Sequence, residues 1–254
     1  MRKNTGMTQA QVAKELQVAP SYYSQWENGV RPLSAEYVHA LDTLFKTSGG
    51  LLRLWQDLNR PDALPPGFQE LPRLERAADR LRDYGPLLVP GLFQTPEYAR
   101  IVLECERPWE KDGAVERLVE ARLARQQLLE EEGAPLLAVV LDEGVLRRVV
   151  GSPEVMKEQL DRLHAAGQNR RISLQVMPWA TRRRPGLTGP FRIYTFHERP
   201  EVVSAEYAMG EHLLDRPEDL AAYNTLFSIL QSEALPTAQS LDLIKKVRKE
   251  LDEQ

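Results

Sequence analysis

The chain has 254 residues, of which 42% are hydrophobic, and its formal net charge at pH 7 is -4. This composition allows a sizeable core in one large domain or two smaller ones. No apolar run approaches the about 18 to 20 residues of a membrane-spanning helix, and the N-terminus lacks the apolar stretch of a signal peptide. Cys105 is the only cysteine, which excludes an internal disulfide and a multi-cysteine metal site. We therefore expect a cytoplasmic protein without membrane association, metal or other cofactor.

The stretch MTQAQVAKELQVAPSYYSQWENG, residues 7–29, predicts two short helices joined by a three-residue turn. Thr8 and Gln11 have the spacing of a capping box at the start of the first helix. Pro20 suits the first position of the second helix, and the Asn-Gly pair that closes the stretch suits a left-handed helix end. Two short helices in this arrangement form a helix-turn-helix.

The second of these helices has two different faces. Tyr23 and Trp26 are three residues apart and face the preceding helix, so we expect both in the core. Short polar side chains and an amide on the other face have the chemistry that hydrogen-bonds base edges in the major groove of DNA. An ordinary solvated helix surface is the alternative interpretation. The residues of this polar face are Ser21, Tyr22, Ser24 and Gln25.

This stretch resembles the XRE family of phage-repressor-like regulators, whose pattern is LTQxxLAxxLxVSxxxVSxxExG. The positions that hold the family spacing are Thr8, Gln9, Ala13, Leu16, Val18, Ser24, Glu27 and Gly29. The resemblance implies that Gln9 binds a DNA phosphate and that Arg31 binds the DNA backbone. It also implies that the bases are read by Ser21, Tyr22, Ser24 and Gln25.

The charge of this region limits its affinity for DNA. The first 47 residues hold five Lys or Arg against four Asp or Glu, so the module is nearly neutral. We therefore expect modest affinity for each module and a homodimer on double-stranded DNA. Its operator is expected to be palindromic, with half-sites about one helical turn apart.

Three departures from the family pattern stand out. Gln17 occupies a position where the family often has glycine, and Ala19 one where a serine N-cap is usual. The third is the short segment Met1 to Thr5, which replaces a full helix. A missing upstream segment is the explanation we favour, and a trimmed helix or a weakened module are the alternatives.

Further helices are predicted from Ser34 to Phe45 and from about Gly50 to Asn59. They complete an all-α domain over residues 1–60. Residues 61–72, PDALPPGFQELP, contain four prolines and a glycine. This composition is typical of a semi-rigid linker.

The remainder, residues 73–254, predicts an α/β domain with a small sheet of about four strands, which includes a parallel pair. Helical periodicity extends over 73–83. The predicted strands are LLAVVLDE, RISLQVMPW, GPFRIYTF and EVVSAEY. Capped helices precede and separate them, and two helices near 217–232 and 237–251 close the chain. The whole protein is thus expected to be α+β and mostly α.

This half resembles the C-terminal domain of many actinobacterial XRE regulators, common in streptomycete-type genomes. The resemblance rests on pieces such as LVPGLFQTPEYAR, LDEGVLRRVVGSPEVMKEQL and VVSAEYAMGEHLLDRPEDL. It implies a transcriptional regulator whose second domain responds to a small protein partner encoded nearby, or to a ligand. The alternative is an antitoxin-like interaction module that neutralises a small protein, with DNA binding mainly autoregulatory.

Catalytic motifs are weak in this sequence. Asp142 and Glu143 follow a predicted strand, where they form either a carboxylate pair or the cap of the next helix. His164, His197 and His212 lack metal-ligand spacing, and no glycine-rich phosphate loop follows a strand. We therefore expect no enzymatic activity.

Three adjacent arginines, Arg182, Arg183 and Arg184, lie beside Trp179 and Pro185. Such a cluster has the chemistry to bind a phosphate, an acidic partner or DNA. A solvated loop is the alternative. Our hypothesis is that these arginines contribute to partner or ligand binding.

Overall fold

The computed structural model describes residues 2–47, 49–58, 66–110, 113–207 and 210–253. The chain divides into two compact units, Met1–Ala63 and Leu64–Gln254. Within the described residues, no helix is both long and apolar enough to cross a bilayer.

The first unit is helical. A short 3-10 turn over Arg2–Thr5 precedes the first α-helix. The helices that follow are α1 (Gln9–Glu15), α2 (Pro20–Glu27), α3 (Ala35–Leu44) and α4 (Gly50–Leu58). Their small core consists of Val12, Ala13, Leu16, Tyr23 and Leu41, with half-buried apolar side chains around it.

The second unit contains a mixed sheet of six strands within the described residues. Its strands are β1 (Arg80–Gly85), β2 (Leu136–Asp142), β3 (Ile172–Met177), β4 (Phe191–Thr195), β5 (Val202–Tyr207) and β6 (Gly210–Leu214). Their order in the sheet is β3-β2-β1-β4-β5-β6. Strands β1, β2 and β3 are parallel, whereas β4, β5 and β6 continue the sheet in antiparallel fashion.

Helices cover both faces of this sheet. They are α5 (Pro66–Ala77), α6 (Pro96–Glu106), α7 (Ala114–Gln126), α8 (Glu143–Arg147), α9 (Pro153–Ala166), α10 (Pro217–Glu233) and α11 (Thr237–Glu250). One face packs on α6, α9 and α11 and forms the larger core. The other face packs on α10, through Phe227 and Leu230 against Tyr84 and Phe191.

The prediction of about four strands was too low. Residues 80–83, predicted as helix, belong to the central strand β1, and β6 was not predicted at all. Strand β1 is not recognisable from its sequence because it contains charged residues, whereas buried strands are normally apolar. In the fold, Asp83 pairs with Arg192 of β4, and the Arg82 guanidinium lies 2.6 Å from Glu201. These partners are far away in the chain and compensate the buried charges.

The predicted linker also differs from the structure. Helix α5 begins at Pro66, so the last seven residues of the 61–72 stretch are helical, and residues 61–65 lie outside the described residues. Proline is tolerated at the first position of a helix, because the backbone N–H that it lacks would have no hydrogen-bond partner within the helix. Pro72 lies inside α5, where the buried Leu71 beside it anchors the helix on the core. Ser34 occupies the N-cap position of α3, but its side chain makes no capping hydrogen bond.

Candidate nucleic-acid interface

The turn between α1 and α2 has the geometry that a helix-turn-helix needs. Gln17 adopts φ +55°, a left-handed conformation, in the position where the XRE pattern often has glycine. The backbone N–H of Val18 donates to the Ala13 carbonyl at 3.0 Å and closes the turn. Ala13 is completely buried, and its small side chain allows the two helices to approach closely. The strain at Gln17 costs on the order of 1 kcal/mol.

Helix α2 presents the two faces that the sequence predicts. Tyr23 is 4% exposed and packs in the core, and burial raises the pKa of its phenol. Trp26 is half-buried, with its ring centroid 4.6 Å from that of Tyr37 on α3. Ser21, Tyr22 and Gln25 are exposed on the other face. The three are therefore free to meet a partner without any change in the core.

Ser24 is less available than its neighbours. It is half-buried, and the side-chain amide of Asn28 donates to its hydroxyl oxygen at 3.2 Å. Asn28 is itself exposed one turn further along the same face. An exposed amide at this position adds a donor and an acceptor to the predicted surface, and the pair Ser24–Asn28 acts as one polar unit.

Tyr22 and Arg31 form a second unit at the edge of this face. The Arg31 guanidinium carbon lies 4.0 Å from the centre of the Tyr22 ring, a cation–π contact. The Trp26 ring meets the same tyrosine edge-on, with centroids 5.5 Å apart. The Gln25 carbonyl accepts hydrogen bonds from the N–H groups of Val30 and Arg31, at 2.9 and 3.3 Å. The loop after α2 is thereby held where Arg31 projects beside the exposed face.

Gln9, the predicted phosphate ligand, is oriented by Glu27 at the end of α2. Its side-chain nitrogen donates to one carboxylate oxygen of Glu27 at 2.6 Å, and Arg2 Nε donates to the other at 2.8 Å. Arg2 also donates to the Met7 carbonyl at 2.8 Å. Glu27 thus ties the start of α1 to the end of α2. A DNA phosphate bound by Gln9 has to lie beside the hydrogen bond between Gln9 and Glu27.

Sequence reasoning overlooked Glu27, Asn28 and Arg2 as parts of this surface. Glu27 was noted only as a family position, and Asn28 only as part of a helix end. The spacing of four residues between Ser24 and Asn28 places both on one helix face, and this spacing could have identified Asn28 as part of the polar surface. No sequence pattern links Arg2 or Gln9 to Glu27, because that contact depends on how the helices pack.

The three arginines in the second unit have different environments. Arg184 donates to the Asp142 carboxylate at 2.7 Å and to the carbonyls of Pro178 and Thr181 at 3.0 and 3.2 Å. It therefore fixes the loop between β3 and β4. Arg182 and Arg183 are exposed and make no hydrogen bond or ion pair within the described residues. The binding role stays a prediction for all three arginines, of which Arg182 and Arg183 are exposed and Arg184 is engaged in the contacts described.

Exposed apolar side chains lie in the same loop. Trp179 is 56% exposed and Leu187 is 73% exposed. The Arg147 guanidinium carbon lies 5.3 Å from the Trp179 ring centre, a cation–π contact. We call Trp179, Arg182, Arg183 and Leu187 the carboxyl-edge surface, because their loop follows the carboxyl end of β3.

Asp142 and Glu143 are occupied by structural contacts. Asp142 caps α8, accepting a hydrogen bond from the Gly144 N–H at 2.8 Å, and binds Arg184. Glu143 accepts from the Trp179 N–H at 2.7 Å and from Arg147 at 2.6 Å. Burial opposes ionisation of Glu143, but these two donors outweigh it and lower its pKa. The arrangement is that of a helix cap and two ion pairs.

Comparisons with known families agree with this division of the chain. Residues 1–52 match the helix-turn-helix family, and residues 68–246 match the domain of unknown function DUF5753. Comparisons with curated proteins and with solved structures give no significant match. The helix-turn-helix match indicates a DNA-binding regulator. The second match names a domain whose activity is uncharacterised, so it assigns neither a ligand nor a partner.

Proposed function

We propose that this chain, which belongs to the DUF5753 family, is a sequence-specific DNA-binding transcriptional regulator whose C-terminal domain controls its DNA-binding unit. The observation that carries the proposal is the exposed face of α2. Ser21, Tyr22 and Gln25 are exposed on a helix whose opposite side packs in the core. Arg31 is held beside them, where it is able to neutralise a phosphate.

The proposed operator is palindromic double-stranded DNA bound by a homodimer. A single α2 helix in the major groove covers only a few base pairs. The helix-turn-helix unit is nearly neutral and therefore gains little from electrostatic attraction to the DNA phosphates. Two modules on half-sites about one helical turn apart supply the missing affinity. Such a protein works at the nucleoid, in the cytoplasm.

The carboxyl-edge surface is our proposed docking site for the controlling partner. Two unpaired guanidinium groups next to exposed tryptophan and leucine side chains favour an acidic segment with apolar residues. A small protein encoded near the gene is the proposed source of that segment. The resemblance to antitoxin-like actinobacterial regulators supports a protein in this role.

The same surface supports a second candidate function. An antitoxin-like module would use the carboxyl-edge surface to neutralise a small protein, and would bind DNA mainly for autoregulation. We assign no catalytic role to either unit, since Asp142 and Glu143 are engaged in the contacts described above.

Fluorescence anisotropy of the full chain on its own promoter DNA tests the regulator. Specific binding should weaken as salt rises, and Ser24→Ala/Gln25→Ala should abolish it. Arg31→Ala should weaken binding to all sequences alike and reduce the salt slope by about 1. Gln168→Ala and Arg170→Ala are matched controls, because both residues are exposed in the second unit and their side chains form no hydrogen bond or ion pair among the described residues. Equal binding of wild type and the α2 variant would refute the assignment of α2.

The partner site needs its own experiment. Arg182→Glu/Arg183→Glu should reduce affinity for the neighbouring small protein by at least about tenfold, whereas Arg170→Glu should not. DNA affinity without the partner should stay unchanged in both variants. If Arg182→Glu/Arg183→Glu instead loses DNA binding, these arginines belong to the DNA interface and not to the partner site.

A further inference from the structure

A groove with a volume of about 230 Å³ lies between helices α5 and α7 of the second unit. Most of its lining is apolar, and alanine at two positions of α7 leaves the space open. An apolar cavity of about 150 Å³ is enough to hold benzene, so this groove has room for a molecule of about nine non-hydrogen atoms. The apolar lining consists of Pro72, Ala121, Ala124 and Leu128.

A buried ion pair forms the polar part of the lining. Glu75 and Arg125 both line the groove, with side chains 1% and 10% exposed. Arg125 donates from Nε and Nη2 to the two carboxylate oxygens of Glu75, at 3.0 and 2.5 Å. Nη1 of Arg192 donates a further hydrogen bond to Glu75 at 2.5 Å. The negative charge of Glu75 is thus already compensated within the protein.

Arg125 keeps donors that the ion pair does not use. Its Nη1 carries two N–H groups and makes no hydrogen bond in the described parts of the chain. This nitrogen is also not among the described side-chain atoms that are both unpaired and shielded from solvent, so it is reachable from the groove. Burial favours the neutral form of Arg125, but Glu75 outweighs it and the pKa of the guanidinium is raised. The groove therefore contains a permanently charged donor.

Arg76 adds a second cation to the lining. Its side chain is 63% exposed and lies 3.8 Å from Glu131, which is too far for a hydrogen bond. Among the described residues that line the groove, two arginines stand against one glutamate, so the lining has one net positive charge. This combination of apolar walls and a surplus guanidinium donor favours an anion that has an apolar part.

We propose that this groove binds a small monocarboxylate with a compact apolar body. The carboxylate accepts hydrogen bonds from Nη1 of Arg125, and the apolar body covers the alanine and proline side chains. Charge-assisted hydrogen bonds of this kind are roughly twice as strong as neutral ones. Sites for small organic molecules are typically apolar with a few polar groups that fix the orientation of the ligand. An inorganic anion would leave the apolar walls uncovered, and a neutral molecule would leave the guanidinium without a counter-charge.

Isothermal titration calorimetry of the full chain tests this site. The probe is sodium benzoate at pH 7.5 and constant ionic strength. Benzamide has the same shape without the charge, and acetate has the charge without the apolar body. We expect saturable one-to-one binding of benzoate in the millimolar range or tighter, and at least about tenfold weaker binding of the other two. Absence of saturable benzoate binding, or equal binding of benzoate and either comparison compound, would overturn the proposal.

Variants locate the binding in the groove. Ala124→Leu places a larger side chain in the space and should weaken benzoate at least about tenfold. Ala165→Leu is the matched control, because Ala165 is exposed on α9 and does not line the groove, and it should bind as wild type does. Unchanged affinity in Ala124→Leu would contradict the site.

Two arginine variants test the polar part of the lining. Arg125→Lys keeps a positive charge beside Glu75 but removes the forked donor, and should weaken benzoate at least about tenfold. Arg76→Gln, at an exposed position, should weaken it only about two- to threefold. Thermal unfolding without ligand shows whether Arg125→Lys is folded, and Ala124→Leu tests the site independently of that result. A folded Arg125→Lys protein with wild-type affinity would exclude Arg125 as the ligand of the carboxylate.

This inference goes beyond the proposed function and does not depend on it. The calorimetry contains no DNA, so failure of benzoate binding leaves the helix-turn-helix assignment intact. Failure of promoter binding likewise leaves the carboxylate site intact.

Discussion

The two units of this chain place their charged groups in opposite ways. In the helix-turn-helix unit, Glu27 joins Arg2 and Gln9 at the protein surface, with its side chain 28% exposed. In the C-terminal unit, Arg192 and Glu75 meet in the middle of the sheet face, with side chains 6% and 1% exposed. Surface contacts contribute little to stability, whereas breaking a buried pair is strongly destabilising. The Glu27 contacts of the first unit are therefore expected to contribute less to stability than the buried ion pairs that hold the second unit together.

The largest expected effect is the loss of a buried arginine. Arg192→Leu leaves Asp83 and Glu75 buried with too little positive charge, and should lower the free energy of unfolding of the C-terminal unit by about 3 to 5 kcal/mol. Urea unfolding measures it. Arg170→Leu, at an exposed position, should change the value by less than about 0.5 kcal/mol. Similar effects of the two substitutions would break the comparison between buried and surface charges.

A smaller effect is expected at the surface of the first unit. Glu27→Ala removes the acceptor shared by Arg2 and Gln9 and should destabilise the helix-turn-helix by about 1 to 1.5 kcal/mol. Segment-resolved hydrogen exchange of α1 and α2 reports this change for the first unit alone. Glu36→Ala, exposed on α3, is the control. A loss as large as that of Arg192→Leu would show that Glu27 belongs to the core.

The pH dependence of the second unit sharpens the contrast further. Burial, with the nearby Glu211 and Asp83 carboxylates, raises the pKa of Glu206 from 4.5 to about 7, although Arg192 and Arg122 act in the opposite direction. The folded state therefore binds this proton more tightly than the unfolded state, and stability falls as pH rises from about 4.5 through about 7.

Glu206→Gln removes that loss of stability. Its advantage over wild type should grow between pH 5 and pH 8 to about 1 kcal/mol, a value reduced by solvent contact of the carboxyl. Thermal unfolding across this pH range measures the difference, with Glu198→Gln as the control. A pH-independent difference would mean that Glu206 titrates normally.

The smallest expected effect concerns a missing helix cap. Ala19 is the N-cap residue of α2 and makes no side-chain capping bond. Ala19→Ser supplies an acceptor for the free N–H groups of the first turn and should stabilise the unit by about 0.5 to 1 kcal/mol. The same exchange at the exposed Ala10, inside α1, should give no gain. Chemical denaturation followed by hydrogen exchange compares the stability of the Ala19→Ser and Ala10→Ser variants. Equal stabilisation by both substitutions would exclude capping as the cause.

Local features were predictable from the sequence. The structure confirms the capping box of Thr8 and Gln11 and the left-handed conformation of Gly29. Each depends on residues within a few positions of one another, so short-range spacing contains the information. The placement of Tyr23 in the core follows in the same way from helical periodicity.

The features that were missed depend on residues far apart in the chain. Strand β1 is charged, and its place in the centre of the sheet follows from its pairing with β2 and β4, more than 50 and 100 residues away. Arg184 resembled its two neighbours in sequence, yet only it meets Asp142, 42 residues earlier.

The sequence by itself determined the helix-turn-helix, its caps and its exposed polar face, because helix formation and capping are local. Tertiary structure alone decided the six-stranded sheet, the pairing of Arg192 with Asp83 across 109 residues and the register pairing of Glu206 with Glu211. A buried charge is stable only beside its partner, and which partner it meets is a property of the folded chain.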